Sequence, residues 1–115
     1  MATAPQAGFT YEILTRNDST WGKINDIKFH GRLTGRDGQK VKELIKPLLD
    51  AGGRTVLDLR GLEFMDSTGL GALVSLKVTA LKQGLCRLEL ENVQPRIKDL
   101  FTLANLQSVF DKQPS

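Results

Sequence analysis

The fold is decided by the stretch RTVLDLRGLEFMDSTGLGALVSLKVTALKQG, residues 54–84. Its apolar run at residues 55–59 has the length and continuity of a strand that is buried in a sheet covered by helices. From Leu70 onward the apolar residues recur at helical spacing, which predicts a helix that stops at Gly84. The predicted apolar stripe consists of Leu70, Leu73, Val74, Val78 and Leu81, with Ser75, Thr79 and Lys82 on the opposite side.

The turn before this helix places a serine hydroxyl at the helix N-terminus. The N–H groups of the first turn need acceptors, and either Asp66 or Ser67 can supply a side-chain oxygen. Gly69 and Gly71 remove side chains that would cover the serine. The residues alone leave two interpretations of Ser67, a simple N-cap or a hydroxyl that another protein can reach.

The segment Met-Asp-Ser-Thr-Gly-Leu-Gly at residues 65–71, with Val-Leu-Asp-Leu at residues 56–59 before it, resembles the signature of the STAS domain family. This family includes the bacterial anti-sigma-factor antagonists, and the resemblance covers residues 10–110. It implies that Ser67 is phosphorylated by a partner kinase, with Thr68 as a minor alternative acceptor. The sequence departs from the family at Thr34, where an aspartate often ends the second strand.

The resemblance also implies a function. The chain would bind an anti-sigma factor that is a serine-protein kinase when it is unphosphorylated, and phosphorylation of Ser67 would release it and so regulate sigma-factor-dependent transcription. A metal-dependent serine phosphatase is a further implied partner, and no cofactor or bound metal is expected. The alternative is a STAS regulatory subunit of a membrane lipid or solute ABC transport complex. The intact Asp-Ser-Thr-Gly favours the first function, because a docking subunit needs no phosphoacceptor.

We predict a partner-binding patch where the end of the second strand meets the beginnings of two helices at one edge of the sheet. Leu70 is either an exposed anchor of this patch or a core residue. The predicted patch consists of Thr34, Gly35, Arg36, Asp37, Asp66, Ser67, Thr68 and Leu70.

Length and composition indicate one small domain. The 115 residues suffice for one domain with a single core, and we place this domain at residues 9–111, with flexible tails at residues 1–8 and 112–115. Cys86 is the only cysteine, so no internal disulfide can form and we expect a cytoplasmic protein. A net charge of +3 is spread over the sequence and aromatic residues make up 6%, which argues against nucleic-acid binding. No run of about 18 apolar residues occurs, so direct membrane insertion is not expected.

The remaining segments alternate between strand and helix patterns. Residues 9–13 predict an edge strand that ends in a turn at residues 17–20. Residues 24–33 predict a strand with one solvent-exposed face. Thr34 and Asp37 have capping-box spacing for a helix, in which Pro47 predicts a bend near Glu43 or a break into two pieces. Residues 85–90, with Cys86 as a small buried residue, predict another strand.

A last helix is predicted to begin at Pro95, to end at Asn105, and to be followed by residues 106–110 packed back on the sheet. Its predicted buried face is Ile97, Leu100, Phe101 and Ala104. Together these segments predict an α/β, STAS-like mixed sheet of four or five strands, covered mainly on one side by helices.

Enzymatic functions are not supported by the sequence. His30 is the only histidine, it falls on the polar register of its strand, and no G-x-S-x-G elbow is present. No Walker-type phosphate loop occurs, and Ser67 and Thr68 both separate Asp66 from Gly69, unlike the Asp-Thr-Gly or Asp-Ser-Gly of aspartic proteases. We therefore expect a protein that is not an enzyme.

Overall fold

A computed structural model describes residues 8–104, which form one four-stranded sheet and three helices. The elements in chain order are β1 (Phe9–Asp18), β2 (Gly22–Leu33), α1 (Gly35–Ala51), β3 (Gly53–Met65), α2 (Ser67–Gln83), β4 (Cys86–Glu91) and α3 (Pro95–Leu103). The strands lie in the order β1-β2-β3-β4. Strand β1 is antiparallel to β2, whereas β2, β3 and β4 are parallel, so the predicted mixed α/β sheet is confirmed.

One face of the sheet packs against the helices and forms the core. Alternate residues of β2, such as Ile27 and Phe29, are buried on this face, while Lys28 between them is exposed. In β4 the same face carries Leu88 and Cys86, which is buried as predicted. Burial raises the pKa of the Cys86 thiol, although the nearby Thr55 opposes this shift. The opposite face, called the outer face below, carries charged pairs such as Arg54–Glu89.

Strand β1 is longer than predicted. It continues through Asp18 instead of ending before residue 17, because all ten of its residues pair with β2. The turn follows at residues 19–21, where the Asp18 carboxylate accepts hydrogen bonds from the backbone N–H groups of Thr20 and Trp21, both at 2.8 Å. The predicted edge position of β1 is confirmed.

Helix α1 is not broken at Pro47, so the predicted break into two pieces is wrong. The helix continues from Gly35 to Ala51 with Pro47 inside it. Both Pro47 and Glu43, whose carbonyl would otherwise accept the missing hydrogen bond, are exposed to solvent. Ile45 and Leu49 on the other side are fully buried, so core packing holds the helix together across the proline.

The buried face of α2 differs from the predicted stripe. Leu70 and Leu73 are buried as predicted, but Val78 is exposed and Lys77 is completely buried. The Lys77 ammonium donates a hydrogen bond to the backbone oxygen of Leu88 at 2.7 Å. Leu76 and Ala80 complete the face that packs on the sheet.

Helix α3 begins at Pro95 as predicted, with the proline at its first position. Its buried residues are Ile97 and Phe101, while Leu100 is partly buried. Ala104 is exposed beyond the helix end, so its predicted place on the buried face is wrong. The predicted stop at Asn105, the packing of residues 106–110 and the tail at residues 112–115 lie outside the described residues, as does the predicted N-terminal tail except for Gly8.

A close approach between α2 and the end of β2 fixes where α2 begins. A Cβ atom on Gly69 would lie 2.5 Å from the backbone oxygen of Leu33, far inside van der Waals contact. Asp66, just before α2, is also bonded to the end of β2, because its backbone N–H donates a hydrogen bond to the same Leu33 oxygen at 3.2 Å. Only a residue without a side chain therefore fits at position 69.

We expect Gly69→Ala to destabilise the protein by about 2 kcal/mol or more, because the backbone of Leu33 cannot move away without disturbing the sheet. Gly71→Ala is the matched control, since a Cβ atom there meets nothing within 4 Å. In that exposed helical position alanine should stabilise the protein by about 0.5–1 kcal/mol. Urea unfolding of both variants measures the difference, and equal effects would show that the close approach is not a constraint.

Candidate functional site

The first turns of α1 and α2 are joined by the carboxylate of Asp66. Its Oδ1 accepts a hydrogen bond from the backbone N–H of Gly69 at 2.7 Å, which caps α2. Its Oδ2 accepts a hydrogen bond at 3.0 Å from the backbone N–H of Gly35, and Gly35 is the first residue of α1. One side chain thus satisfies N–H groups at two helix N-termini, and the choice left open between Asp66 and Ser67 as the cap is resolved in favour of Asp66.

Thr34 occupies the N-cap position of α1 but makes no side-chain capping hydrogen bond. The N–H of Asp37 instead bonds the backbone oxygen of Thr34 at 2.9 Å, and the Asp37 side chain is buried. The predicted capping box of Thr34 and Asp37 is therefore wrong. The side-chain acceptor at the beginning of α1 is instead Asp66, which comes from a different part of the chain and binds the backbone N–H of Gly35.

Small residues let α1 and α2 approach each other next to this carboxylate. A Cβ atom on Gly35 would lie 3.2 Å from both Cβ and Cγ2 of Thr68, and one on Gly38 would lie 3.6 Å from Cβ of Ala72. A shallow groove runs between the two helices at this contact. Its lining includes Gln39 and Lys42 from α1 and Gly71 from α2.

The predicted patch is brought together only in part. Gly35, Arg36, Ser67 and Thr68 are exposed at one edge of the sheet, as predicted. Thr34 and Asp66 are partly buried between them.

Two residues of the predicted patch are buried instead. Leu70 has 5% of its surface exposed and belongs to the core, so it cannot be an exposed anchor. Asp37 has 6% exposed, because it lies on the inner side of the first turn of α1. The spacing of apolar residues in α1 did not predict that Asp37 lies on the buried face of the helix.

Ser67 is the first residue of α2 and its position combines access with a favourable field. The 17-residue helix directs its positive dipole end toward this position. Gly71, one turn further along, has open space around it, so nothing from that residue covers the hydroxyl. Phosphate groups are stabilised at such helix N-termini by free N–H groups and the dipole. The arrangement therefore suits a group that gains negative charge.

His30 lies elsewhere, on β2. Its Nε2 atom is 2.7 Å from Oε2 of Glu12 on β1, and its ring packs over Gly61. The predicted solvated position is confirmed, because both members of this pair are exposed to solvent. Within residues 8–104, no group of three or more His, Cys, Asp and Glu side chains is arranged to hold a metal ion. None of the helices in this range is long and apolar enough to cross a membrane.

Comparisons with known proteins agree on one family. The family model described as MlaB, STAS domain, matches residues 23–111. The anti-sigma-B factor antagonist of Bacillus subtilis (strain 168) is 33% identical over 89 residues, which cover 76% of this chain and 81% of that protein.

Solved structures show the same fold. The anti-sigma factor antagonist SpoIIAA in its unphosphorylated form superposes with a TM-score of 0.65 at 22% identity, covering 87% of this chain and 83% of that one. The Bacillus cell fate determinant SpoIIAA in the phosphorylated form gives a TM-score of 0.62 at 20% identity, covering 87% and 86%.

We expect Asp66→Ala to destabilise the protein by about 2–4 kcal/mol, since it removes charge-assisted hydrogen bonds to two helix N-termini. The stability of Asp66→Asn should lie between those of the unchanged protein and Asp66→Ala, because an amide offers a single acceptor oxygen. Guanidinium chloride unfolding measures the free energy of unfolding.

Thr34→Ala is the control for the Asp66 variants. Thr34 occupies an N-cap position without a side-chain capping bond, so its loss should change the stability by no more than about 0.5 kcal/mol. A Thr34→Ala cost equal to that of Asp66→Ala would contradict the bridging role of Asp66.

Proposed function

This chain belongs to the STAS domain family, and on that basis we propose that it is an anti-sigma-factor antagonist whose partner binding is switched by phosphorylation of Ser67. The observation that carries the proposal is the position of Ser67, exposed at the first residue of α2, next to an aspartate that already caps the helix. The similarity to the antagonist from Bacillus subtilis supports the same function.

Ser67 is a better phosphoacceptor than Thr68, although both are exposed. The Thr68 side chain lies at the contact between α1 and α2, against the place where Gly35 has no Cβ. A phosphate on Thr68 would have to fit beside this contact. Ser67 precedes the contact, and a kinase can reach its hydroxyl without separating the helices.

The partner in this proposal is an anti-sigma factor with serine-protein kinase activity. It binds the unphosphorylated chain, and the Ser67 oxygen then attacks the γ-phosphorus of ATP. The bond between that phosphorus and the β–γ bridging oxygen breaks, ADP leaves, and the hydroxyl proton is released. A metal-dependent serine phosphatase would restore the hydroxyl by hydrolysis. These reactions take place in the cytoplasm in this proposal.

Phosphorylation should weaken partner binding through charge and not through unfolding. The phosphate adds about −1.5 to −2 charge at pH 7. The positive dipole end of α2 offsets this charge, while the Asp66 carboxylate opposes it. Because Asp66 supplies the capping oxygen, modification of Ser67 leaves the cap of α2 in place. The partner, by contrast, must face a dianion where a hydroxyl used to fit, and an unpaired buried charge costs several kcal/mol.

The docking surface in this proposal consists of the exposed residues around the joined helix N-termini, and it is called the N-terminal patch. Its members are Gly35, Arg36, Ser67, Thr68 and Gly71. Asp37 and Leu70 are left out of it because both are buried. The alternative function, a regulatory subunit of a membrane transport complex, would use a docking surface without needing the Ser67 hydroxyl.

We expect the cognate kinase to place phosphate on Ser67, because this hydroxyl is exposed and beside the helix end. Incubation with ATP and peptide mapping by mass spectrometry identify the site. Ser67→Ala should accept almost no phosphate, while Ser75→Ala, an exposed serine two turns along the same helix, should be modified normally. The phosphorylated protein should keep its thermal transition and bind its partner about 100-fold more weakly.

Phosphate found only on Thr68, or an unchanged affinity after modification, would overturn this switch. Capture of partners from the native cell separates the two functions. Recovery of a kinase-type anti-sigma factor supports the antagonist, whereas recovery of a transporter ATPase and permease supports the alternative.

We expect Arg36→Glu to weaken binding of the unphosphorylated protein to its partner by about tenfold or more, because it reverses a charge in the N-terminal patch. Lys98→Glu on α3 is the matched control, with an exposed charge on a different helix. A binding titration by calorimetry measures both. If Arg36→Glu stays within about twofold of the unchanged protein, the patch is misplaced even when Ser67 is the phosphoacceptor.

A further inference from the structure

Strand β1 is an edge strand of the sheet formed by the described residues. It pairs with β2 along all ten residues from Phe9 to Asp18, without a register shift or bulge. Among residues 8–104, no strand pairs with its other side. Proline is absent from the strand, and the backbone N–H and C=O groups on this edge form a row that another strand can join.

The same strand exposes an unusual amount of apolar surface. Tyr11, Ile13 and Leu14 have 41%, 42% and 66% of their surface exposed. They account for three of the six large hydrophobic side chains that are exposed in the described part of the chain, and they lie within four residues of each other. A free edge that carries such side chains favours pairing over remaining in water.

The sequence of β1 is complementary to itself in one antiparallel register. When Leu14 lies opposite Leu14 of a second copy, Glu12 lies opposite Arg16 and Arg16 opposite Glu12. On the opposite face of the sheet, Ile13 of one copy then lies opposite Thr15 of the other. Opposite charges at directly facing positions stabilise an antiparallel pair, and two such pairs arise from the twofold symmetry.

Sliding one strand by four residues in either direction moves the axis to Glu12 or Arg16 and loses the complementarity. With Glu12 opposite Glu12, two like charges meet at the symmetry axis, which is destabilising. With Arg16 opposite Arg16 the same conflict arises. An axis at Ile13 would place Glu12 opposite Leu14, and no charge pair would form. The charges therefore select the register centred on Leu14.

Within one chain, both charged residues are already held on the outer face of the sheet. Glu12 contacts His30 through Oε2 at 2.7 Å, and Arg16 contacts Asp26 through Nε at 3.1 Å. A carboxylate has a second oxygen and a guanidinium has further N–H donors, so each can bind a cross-strand partner as well. Pairing would join the groups into two ion networks that run across the interface.

From these observations we infer that the β1 edge binds a second copy of this chain, as an antiparallel β1–β1 pair centred on Leu14. The product is a continuous eight-stranded sheet with twofold symmetry. Ser67 follows the end of β3, away from the middle of β1 where the axis lies. Because the two β1 strands run in opposite directions, the two Ser67 sites lie at opposite ends of the dimer and remain accessible.

Charge inversion tests this pairing on the full chain by sedimentation velocity, over a concentration series up to about 1 mM. The unchanged protein should reach twice the chain mass. Glu12→Arg and Arg16→Glu should each weaken self-association by about tenfold or more, because each places like charges at two symmetric positions. An equimolar mixture of the two single variants should dimerise again, since one chain then carries arginine at both positions and faces glutamate at both positions of the other.

The double variant Glu12→Arg/Arg16→Glu should dimerise like the unchanged protein, because it exchanges both charges. Lys40→Glu, an exposed charge change on α1, should leave self-association unaltered. Thermal melting of each variant confirms that it is folded. A protein that stays monomeric throughout the series overturns the proposal, and so does a mixture of the single variants that fails to associate. Neither result bears on whether Ser67 is phosphorylated.

Discussion

The bridge from Asp66 to two helix N-termini is the interaction on which the site depends. Helices α1 and α2 follow the neighbouring parallel strands β2 and β3, so both begin at the same edge of the sheet. Their dipoles lie side by side with both positive ends at this edge, an arrangement that is unfavourable without compensation. The carboxylate between Gly35 and Gly69 accepts a hydrogen bond from each and provides the opposing charge.

This division of roles leaves Ser67 available for chemistry. In many helices a serine at the N-terminus is itself the cap, and modifying it would remove a hydrogen bond that stabilises the fold. Here Asp66 precedes the serine and carries that bond, while Ser67 lies one position further, exposed on the first turn. In the proposed switch, phosphate is therefore added to Ser67 and removed again without changing how the helix begins. Such separation supports the reversible switch that we propose at Ser67.

The sequence predicted those features that depend on neighbours along the chain. The alternation in β2, the glycine stop of α2 at Gly84 and Pro95 at the beginning of α3 are all confirmed, because local pattern determines them. The capping of α1 was predicted wrongly, since Thr34 and Asp37 have the spacing of a local cap while the actual acceptor is Asp66, 31 residues away from Gly35. A contact of this kind exists only after the strands have paired.

Helix α2 shows why periodicity locates a helix better than it locates the buried face. Its apolar pattern predicts Val78 inside, but the structure exposes this valine and buries the neighbouring Lys77. The long lysine stem can fill apolar space while its ammonium reaches the backbone oxygen of Leu88 at 2.7 Å. Burial of this ammonium would be costly without such an acceptor, and the acceptor is provided by β4, which follows in sequence.

The close approach of Gly69 to Leu33, and not the apolar pattern, sets the rotation of α2, since only one face of the helix can lie that near the end of β2. That same rotation buries Leu70 and leaves Ser67 exposed. The position of the candidate site is thus a consequence of how the glycine packs, and not of where the apolar residues fall along the helix.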